Sequence, residues 1–424
     1  MKTRQVIVVG GGASGLTAAI SAAENNAAVT ILEQKERVGK KILSTGNGRC
    51  NVTNTDMRAD CFRGEDVSIV PKVLERFGYP ETVQFFEKLG VILKNRQGYL
   101  YPISDQASTI LDALRLEADR LSVQVVTGET VCLIEKHKNG FSVRTKRSEY
   151  HCDAVILATG GKAAPVLGSD GSGYALAKSM GHTISPVVPA LVQLRCRGTY
   201  FKQISGVRVN AAVHLFVDGT WCASDTGELQ LTDYGISGIP VFQVSRYAAK
   251  ALYEKRKVTA RINFLPTMTE EALFSFLEER RARLGHRRAE DFLLGMLHKK
   301  LIGIFLKEAN IPANTCILEI SETQWRKLCT CFCHFPMEIE GTNTFAQAQV
   351  CAGGVKTTEI HAETMESRYV KDLYLTGELL DIDGICGGYN LQWAWATGYL
   401  AGSYAAKGTE HDSNRTIKTT SKSQ

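Results

Sequence analysis

The N-terminal stretch of the chain alternates between apolar runs and small residues in a way that predicts strand, helix and strand. Residues Gln5–Val9 form a β-branched run typical of a buried parallel strand. The alanine-rich stretch Leu16–Glu24 predicts a helix, and Ala28–Leu32 predicts the next strand. We therefore expect a βαβ unit and a parallel sheet covered by helices.

Similar apolar runs recur much later in the chain. Ala154–Gly161 predicts a buried strand ending in Ala-Thr-Gly-Gly, and Leu373–Gly377 predicts another. Leu391–Ala405 is an apolar helix. The two ends of the chain are therefore expected to build one α/β domain.

Between these runs the pattern changes twice. Val123–Val126, Thr130–Lys136 and Phe141–Thr145 predict a small β element beside that domain, and Ser172–Met180 predicts a helix. Alternating strands such as Val207–Val217 then fill the region from 191 to 259.

A long charged helical stretch, Glu270–Ala309, follows the strands. Thr267-x-x-Glu270 and Ser321-x-x-Gln324 read as capping boxes. We expect an insertion that is part β and part helical.

Composition restricts the class of protein. The 424 residues are 44% hydrophobic and 22% charged, which is ordinary for a soluble globular protein of two or three domains. The net charge of +6 favours anionic ligands without indicating a nucleic-acid binder. The twelve scattered cysteines favour reduced thiols. Glycines interrupt the first apolar run and no membrane span is apparent, so we expect a cytoplasmic protein without a membrane partner.

The first turn carries a dinucleotide fingerprint. Gly10, Gly12 and Gly15 fill the three glycine positions of G-x-G-x-x-G, directly between the first strand and helix. The helix N-terminus at Ala13 and Ser14 offers N–H groups to a pyrophosphate. Glu33 closes the second strand, where a carboxylate can accept ribose hydroxyls. This motif alone is compatible with NAD and with FAD.

Three later segments favour FAD. The strand Ala154–Gly161 ends in a turn of small residues that lets the chain pass close to a nucleotide. Val38–Asn54 is rich in Gly, Ser, Thr and Asn and suits a phosphate or an isoalloxazine edge. Gly387-Gly388 precedes the C-terminal helix, whose N-terminus can stabilise negative charge on a reduced flavin. A simple NAD dehydrogenase does not need this second half-site.

Three segments carry a family resemblance, namely Gly39–Asn54, Ala352–Arg368 and Gly377–Gly402. Together they resemble the YhiN-like, or aminoacetone-oxidase-like, NAD(P)/FAD-dependent flavoproteins. The resemblance extends to about residue 407. One departure is that Asp233 stands where the family often has histidine.

The motifs and this resemblance together imply a set of FAD-binding residues, with the backbone of Val131 beside the adenine. The expected residues are Gly10, Gly12, Ala13, Ser14, Gly15, Glu33, Gln34, Lys40, Lys41, Gly46, Gly48, Arg49, Cys50, Asn51, Val131, Gly160, Glu378, Asp383, Gly388, Asn390 and Leu391.

The predicted fold is a Rossmann-like FAD-binding domain of the two-dinucleotide-binding type, interrupted by the insertion. The FAD-binding domain comprises 1–190 and 350–407, the β-rich insertion 191–266 and 334–349, and the helical insertion 267–333. Residues 408–424 are expected to be disordered.

The resemblance implies NAD(P)H-driven reduction of a carbon–carbon double bond conjugated to a carbonyl, in a 3-oxo-Δ4 or Δ4,6 bile-acid or steroid-like substrate. We expect an apolar small molecule with an anionic group, and NADH or NADPH as a transient reductant. A flavin oxidase of a small amine such as aminoacetone is an alternative, and a flavin-binding protein that contacts RNA or a partner is another. The oligomeric state stays open.

Candidates for the proton donor are Tyr234 and Asp233, with His182 and Tyr389 as further candidates. Trp393 or Trp395 is a candidate for an apolar substrate wall.

Two clusters favour structural interpretations. Cys329, Cys331 and Cys333 lack the spacing of structural zinc sites, so no metal is expected and a turn is favoured. The insertion also carries a group of basic residues, for which a solvated helix face is favoured over nucleic-acid binding. These are Arg280, Arg281, Arg283, Arg287, Arg288, Lys299 and Lys300.

Overall fold

The structure is a computed structural model that describes residues 3–408. Of the predicted disordered tail, only Gly408 lies within the described range. The described residues form twelve α-helices: α1 Ala13–Glu24, α2 Ile69–Arg76, α3 Tyr79–Lys88, α4 Ala107–Arg120, α5 Ser172–Ser179, α6 Phe201–Ile204, α7 Ile239–Tyr253, α8 Glu270–Leu284, α9 Ala289–Phe292, α10 Lys299–Glu308, α11 Glu322–His334 and α12 Tyr389–Lys407.

The strands fall into three groups along the chain. The first group is β1 Gln5–Val9, β2 Ala28–Glu33, β3 Thr53–Asn54, β4 Phe62–Arg63, β5 Leu93–Arg96, β6 Tyr99–Pro102, β7 Gln124–Thr127, β8 Val131–His137, β9 Gly140–Thr145, β10 Glu149–Cys152 and β11 Ala154–Leu157. The second is β12 Val188–Ala190, β13 Leu194–Cys196, β14 Arg208–Val217, β15 Thr220–Leu231, β16 Gly235–Ser237, β17 Val258–Asn263 and β18 Phe335–Thr342. The third is β19 Val350–Ala352, β20 Leu373–Leu375 and β21 Asp383–Gly384.

A five-stranded sheet in the order β20-β11-β1-β2-β7 forms the centre of the first domain, and its neighbouring strands are parallel. Its middle strands are apolar and buried because helices cover the sheet. The sequence predicted β1, β2, β11 and β20 in their places.

Helices α1 and α12 pack unusually closely because small residues separate them. A methyl group on Gly398 would lie 2.3 Å from the carbonyl oxygen of Ser14, and one on Gly402 would lie 2.1 Å from that of Ala18. The N-terminal and C-terminal segments therefore meet in one unit.

The prediction that residues 123–145 form one small β element was wrong. β7 joins the parallel sheet beside β2, whereas β8, β9 and β10 form a separate antiparallel sheet. A four-residue strand gives no periodic signal that distinguishes these partners.

Six antiparallel strands close into a barrel in the order β13-β16-β15-β14-β17-β18. Helices α8, α10 and α11 share a second hydrophobic core with this barrel. The prediction of a Rossmann-like FAD-binding fold with an insertion that is part β and part helical is confirmed. Its residue boundaries stay predictions.

The helical stretch predicted over Glu270–Ala309 consists of three helices, α8, α9 and α10. The chain leaves α8 at Gly285 and turns again at Gly295, which has a φ of +81°. The capping box at Thr267 was also wrong, because the hydroxyl of Thr269 caps α8 by accepting from the Ala272 N–H. The predicted box at Ser321 and Gln324 is present at the start of α11.

Within residues 3–408, no helix combines the length and the apolar character that crossing a membrane requires.

Candidate functional site

At the glycine-rich turn, the backbones of β1, β11 and α1 lie so close together that no side chain fits between them. A methyl group on Gly10 would lie 2.6 Å from the carbonyl oxygen of Ala158, and one on Gly15 would lie 1.9 Å from that of Gly10. Gly10 has a φ of +100°, which suits glycine. The geometry therefore fits the tight turn and close helix packing expected of a dinucleotide site.

Gly12 is different, because a methyl group there would meet no atom within 4 Å. Gly12 is the N-cap of α1, and no side chain caps this helix. Ala13 and Ser14 follow as its first residues. A helix N-terminus without a capping side chain fits the pyrophosphate of FAD.

Glu33 ends β2 and is buried. Its Oε2 accepts the Gly11 N–H at 2.8 Å, and its Oε1 accepts the Lys35 N–H at 2.8 Å. Each oxygen keeps a further lone pair that can accept a ribose hydroxyl. Gln34 donates to the carbonyl oxygen of Gly168 at 2.6 Å, which folds the 160–170 loop towards Glu33.

Val131 begins β8 close to the same place. Glu129, two residues before it, donates its N–H to the Glu33 carbonyl oxygen at 2.9 Å. The Oε2 atom of Glu129 is buried without a hydrogen-bond partner in the described structure. A buried acceptor of this kind fits a donor on the ligand, such as an adenine amino group or a hydroxyl. Sequence reasoning missed Glu129, although it stands directly after the Gly128 turn.

The loop from Gly46 to Asn51 turns sharply before β3. Gly46, Gly48 and Arg49 are exposed, whereas Cys50 and Asn51 are buried. The Oδ1 atom of Asn51 is buried and has no partner among the described residues. It faces the C-terminal half-site, because a methyl group on Gly388 would lie 3.0 Å from this oxygen. The two predicted half-sites therefore meet here.

Lys41 and Glu378 also join the two ends of the chain. Lys41 Nζ lies 2.8 Å from Glu378 Oε2, and Glu378 Oε1 accepts the Cys351 N–H at 2.8 Å. Glu378 also lies against Gly161, next to the predicted Gly160. Lys40, by contrast, pairs with the exposed Glu36.

The remaining C-terminal residues hold the turn that precedes α12. Asn390 both accepts from the N–H of Gly384 and donates to its carbonyl oxygen, each at 2.9 Å. Leu391 is half-buried in the first turn of α12. Asp383 is buried, and both its oxygens accept from Arg246 of α7. Its carboxylate is therefore engaged by the protein. Together these segments fit FAD.

Asp233 and Tyr234, the predicted proton donors, precede β16 of the barrel. Asp233 is exposed, and Tyr234, directly before β16, accepts the Cys196 N–H of β13 with its carbonyl oxygen at 2.9 Å. The guanidinium of Arg195 lies 5.6 Å from the Tyr234 ring centre. None of the hydrogen bonds, ion pairs or ring contacts within residues 3–408 joins Asp233 or Tyr234 to the predicted cofactor segments. Their catalytic role stays a prediction.

His182 is unsuited to donate a proton to a substrate. It is buried between Glu359 and Ser367, with 2.9 Å to each. Burial lowers the pKa of His182, and Glu359 opposes that shift. This buried network links the segment between α5 and β12 to the segment before β20.

Trp393 and Trp395 do not form a substrate wall. Both are buried in α12, and their indole N–H groups donate to the carbonyl oxygens of Gly377 and Val52. Trp221 of β15, in contrast, is 59% exposed and lines a cavity of about 390 Å³ between the barrel and the first domain. Sequence reasoning missed this residue because strand alternation does not show which exposed residue faces a neighbouring domain.

The cysteine cluster lies on α11, so the predicted turn was wrong. Cys329, Cys331 and Cys333 are buried in the insertion core, and burial raises the pKa of each thiol. Among residues 3–408 no group of His, Cys, Asp and Glu has the arrangement of a metal site.

The basic residues of the insertion are partly structural. Arg280 donates to the carbonyl oxygens of Phe292 and Leu294, and Arg281 stacks on Trp325. Arg287 and Arg288 are exposed. Arg280 and Arg281 therefore make contacts within the insertion itself, whereas Arg287 and Arg288 lie on its solvated surface.

We expect Cys50 to be chemically inert. Its thiol is fully buried, and burial raises its pKa to about 12, opposed by a hydrogen bond with Thr45. The nucleophilic thiolate is therefore scarce at neutral pH. Iodoacetamide should alkylate the exposed Cys132 and leave Cys50 unmodified in the native protein, as measured by peptide mass spectrometry. Equal labelling of both residues would contradict this expectation.

Comparison with known proteins supports the same fold. The family model described as "HI0933-like protein Rossmann domain" matches residues 4–404. The chain is 51% identical over 402 residues to the 3-dehydro-bile acid delta(4,6)-reductase of Clostridium scindens, covering 94% of this chain and 98% of that protein. It is 28% identical over 400 residues to the ribosomal RNA dihydrouridine synthase of Haemophilus influenzae, covering 93% and 96%.

A solved structure gives an independent likeness. The 3-ketosteroid delta1-dehydrogenase of Sterolibacterium denitrificans, in complex with 1,4-androstadiene-3,17-dione, has a TM-score of 0.51 at 12% identity and covers 96% of this chain and 100% of its own. At that identity the likeness shows the fold alone. The chain belongs to the HI0933-like Rossmann-domain family, which confirms the flavoprotein resemblance inferred from its sequence motifs.

Proposed function

We propose that this protein is an FAD-dependent oxidoreductase that uses NADH or NADPH to reduce a carbon–carbon double bond conjugated to a carbonyl in a bile-acid or steroid-like substrate. The observation that supports this most strongly is the 51% identity to the bile acid reductase over nearly the whole of both chains. The substrate is proposed to be apolar with an anionic group.

FAD, when bound, supplies hydride transfer. The chain's own residues bind and orient it. The N-terminus of α1 holds the pyrophosphate, and Glu33 accepts hydroxyls of the ribose. Asn51 and the turn at Gly388 would hold the isoalloxazine, and the N-terminus of α12 would stabilise negative charge on it.

The second relative supports the reaction type. Dihydrouridine is uridine whose ring double bond, also conjugated to a carbonyl, has been saturated. A ribosomal RNA dihydrouridine synthase and a bile acid reductase are therefore both named for reduction of this kind of bond. The higher identity to the bile acid reductase favours the steroid substrate, and RNA serves as the comparison substrate.

The test is an anaerobic stopped-flow measurement on the FAD-loaded protein. NADH or NADPH is expected to bleach the flavin absorbance, and a 3-oxo-Δ4,6 bile acid is expected to restore it. The corresponding neutral amide should bind more weakly if the anionic group is recognised. Reoxidation by ribosomal RNA but by no steroid, or peroxide formation with aminoacetone in air, would overturn the proposal.

A further inference from the structure

The cavity beside Trp221 has the volume of a small-molecule site, and its lining is part polar and part apolar. Its volume of about 390 Å³ falls within the range of ligand pockets, roughly 300–1,000 Å³. β15 and α7 form two walls, and Trp221, Val244, Tyr247 and Ile385 supply apolar and aromatic surface. A flat hydrocarbon skeleton can pack against such walls.

The inner wall of this cavity continues into the segment predicted to hold the flavin. Ile385 donates its N–H to the Cys61 carbonyl oxygen at 2.9 Å, and the Cys386 N–H donates to Gln243 Oε1 at 3.0 Å. Gly387 and Gly388 follow directly and lead into α12. The cavity lining is therefore continuous along the chain with the predicted isoalloxazine segment.

Arg63 is a cationic donor on this inner wall. It lies in β4, opposite Asp383 of β21, and one of its Nη atoms donates to the Gln243 carbonyl oxygen at 3.0 Å. Its guanidinium lies 5.1 Å from the Tyr247 ring centre. No ion pair among residues 3–408 involves Arg63. A guanidinium has five N–H donors, so several remain to bind an electron-rich oxygen.

Asp225 lines the same cavity from β15. It is half-buried and forms no ion pair within the described part of the chain. Burial raises its pKa, and a hydrogen bond from the Thr226 backbone and then the charge of Arg63 oppose that shift. A carboxyl group with a raised pKa holds a proton more readily and can act as a general acid.

We propose that this cavity binds the conjugated ketone, that Arg63 donates a hydrogen bond to its carbonyl oxygen, and that Asp225 protonates its α-carbon. The proposal rests on the proposed function and adds the site and the residues that act on the substrate.

The reaction balances in two steps. FAD, when bound and reduced, would supply a hydride to the β-carbon of the substrate, and the electron pair of the double bond would move to give an enolate. Arg63 stabilises the negative charge on the enolate oxygen. The O–H bond of Asp225 then breaks, its proton joins the α-carbon, and the carbonyl bond re-forms. The substrate gains two electrons as hydride and one proton, the flavin is oxidised, and Asp225 recovers its proton from water.

The test compares Asp225→Asn and Arg63→Met with the wild-type holoenzyme. The control is Glu228→Gln, which changes a carboxylate on the same strand that is exposed and paired with Arg208. Three quantities are measured: flavin reduction by NAD(P)H, flavin reoxidation by a 3-oxo-Δ4,6 bile acid, and calorimetric affinity for the saturated 3-oxo product.

Asp225→Asn should slow reoxidation about 100- to 10,000-fold, the range for loss of a general acid, while flavin reduction and product affinity stay near wild type. Arg63→Met should slow reoxidation roughly 100- to 1,000-fold, as for loss of an oxyanion donor. It should also weaken product binding about tenfold or more, because a charge-assisted hydrogen bond is lost. Glu228→Gln should match the wild type.

The outcomes separate the two proposals. Wild-type protein that binds the ketone but is reoxidised by no conjugated ketone would refute the proposed reaction, and the affinity of Arg63→Met would still test the cavity. If Asp225→Asn and Arg63→Met are reoxidised at the wild-type rate, the inference about these residues is overturned while the proposed reaction stands. The same holds if the wild-type protein is reoxidised by the ketone but does not bind the saturated product. If Arg63→Met fails to fold, Arg63→Lys replaces it and should recover only part of the affinity.

Discussion

Replacing Arg246 by methionine is expected to lower the free energy of unfolding by about 3–5 kcal/mol, the range for breaking a buried ion pair from one side. Arg246 of α7 and Asp383 of β21 are 7% and 1% exposed, and Nη2 lies 2.8 Å from Oδ1. Nε also donates to both oxygens. Methionine fills much of the arginine volume but leaves a buried carboxylate without its counter-ion.

The loss should depend on pH in a defined direction. Burial raises the pKa of Asp383, and Arg246 opposes that shift, so removing Arg246 should raise the pKa further. A group with a raised pKa in the folded state favours folding while it is protonated and opposes folding as pH rises through that pKa. The destabilisation measured by urea unfolding should therefore be larger at about pH 8 than at about pH 4.5.

Two further variants isolate the cause. Arg246→Met combined with Asp383→Leu removes both charges and should recover much of the lost stability. Arg256→Met is the exposed control, because its partner Asp218 is 2.7 Å away but both side chains are about half exposed. It should change stability by less than about 1 kcal/mol. Similar losses for Arg246→Met and Arg256→Met would contradict this account.

The same ion pair shows where sequence analysis succeeds and where it stops. The sequence predicts the turn at Gly10, the helix α1 and the role of Glu33, because the residues of this motif lie close together along the chain. The role of Asp383 was not, because its partner Arg246 lies on a helix of the insertion and only the folded chain brings them together. An aspartate directly before a glycine resembles a ligand-binding residue whether or not an arginine engages it.

The cavity was unpredictable for a related reason. Arg63, Asp225, Gln243 and Ile385 come from four separate segments, and none carries a motif. The tryptophans of α12 follow a glycine-rich turn, which made them candidates for a substrate wall. The close packing of that helix buries them instead. Periodicity shows which residues share a face, whereas the packing partner of that face is set by tertiary structure.

The second large effect is expected from Gly12→Asp, which should weaken FAD binding about 100- to 1,000-fold without unfolding the protein. A side chain at Gly12 meets open space, and its φ of −81° suits any residue. Aspartate is a favourable N-cap, so the FAD-free protein should be at least as stable as wild type. Its carboxylate would stand where the pyrophosphate is predicted, and two like charges about 4 Å apart repel by roughly 4 kcal/mol near a protein surface.

Gly12→Asn is the matched control because it has the same size and capping ability but no charge. FAD affinity is measured by quenching of flavin fluorescence on titration of the FAD-free proteins, and their melting temperatures are measured in parallel. A large loss of affinity in the aspartate variant beside a small loss in the asparagine variant would assign the effect to charge. Equal losses would assign it to steric exclusion, and no loss in either variant would mean that the pyrophosphate does not lie at the N-terminus of α1.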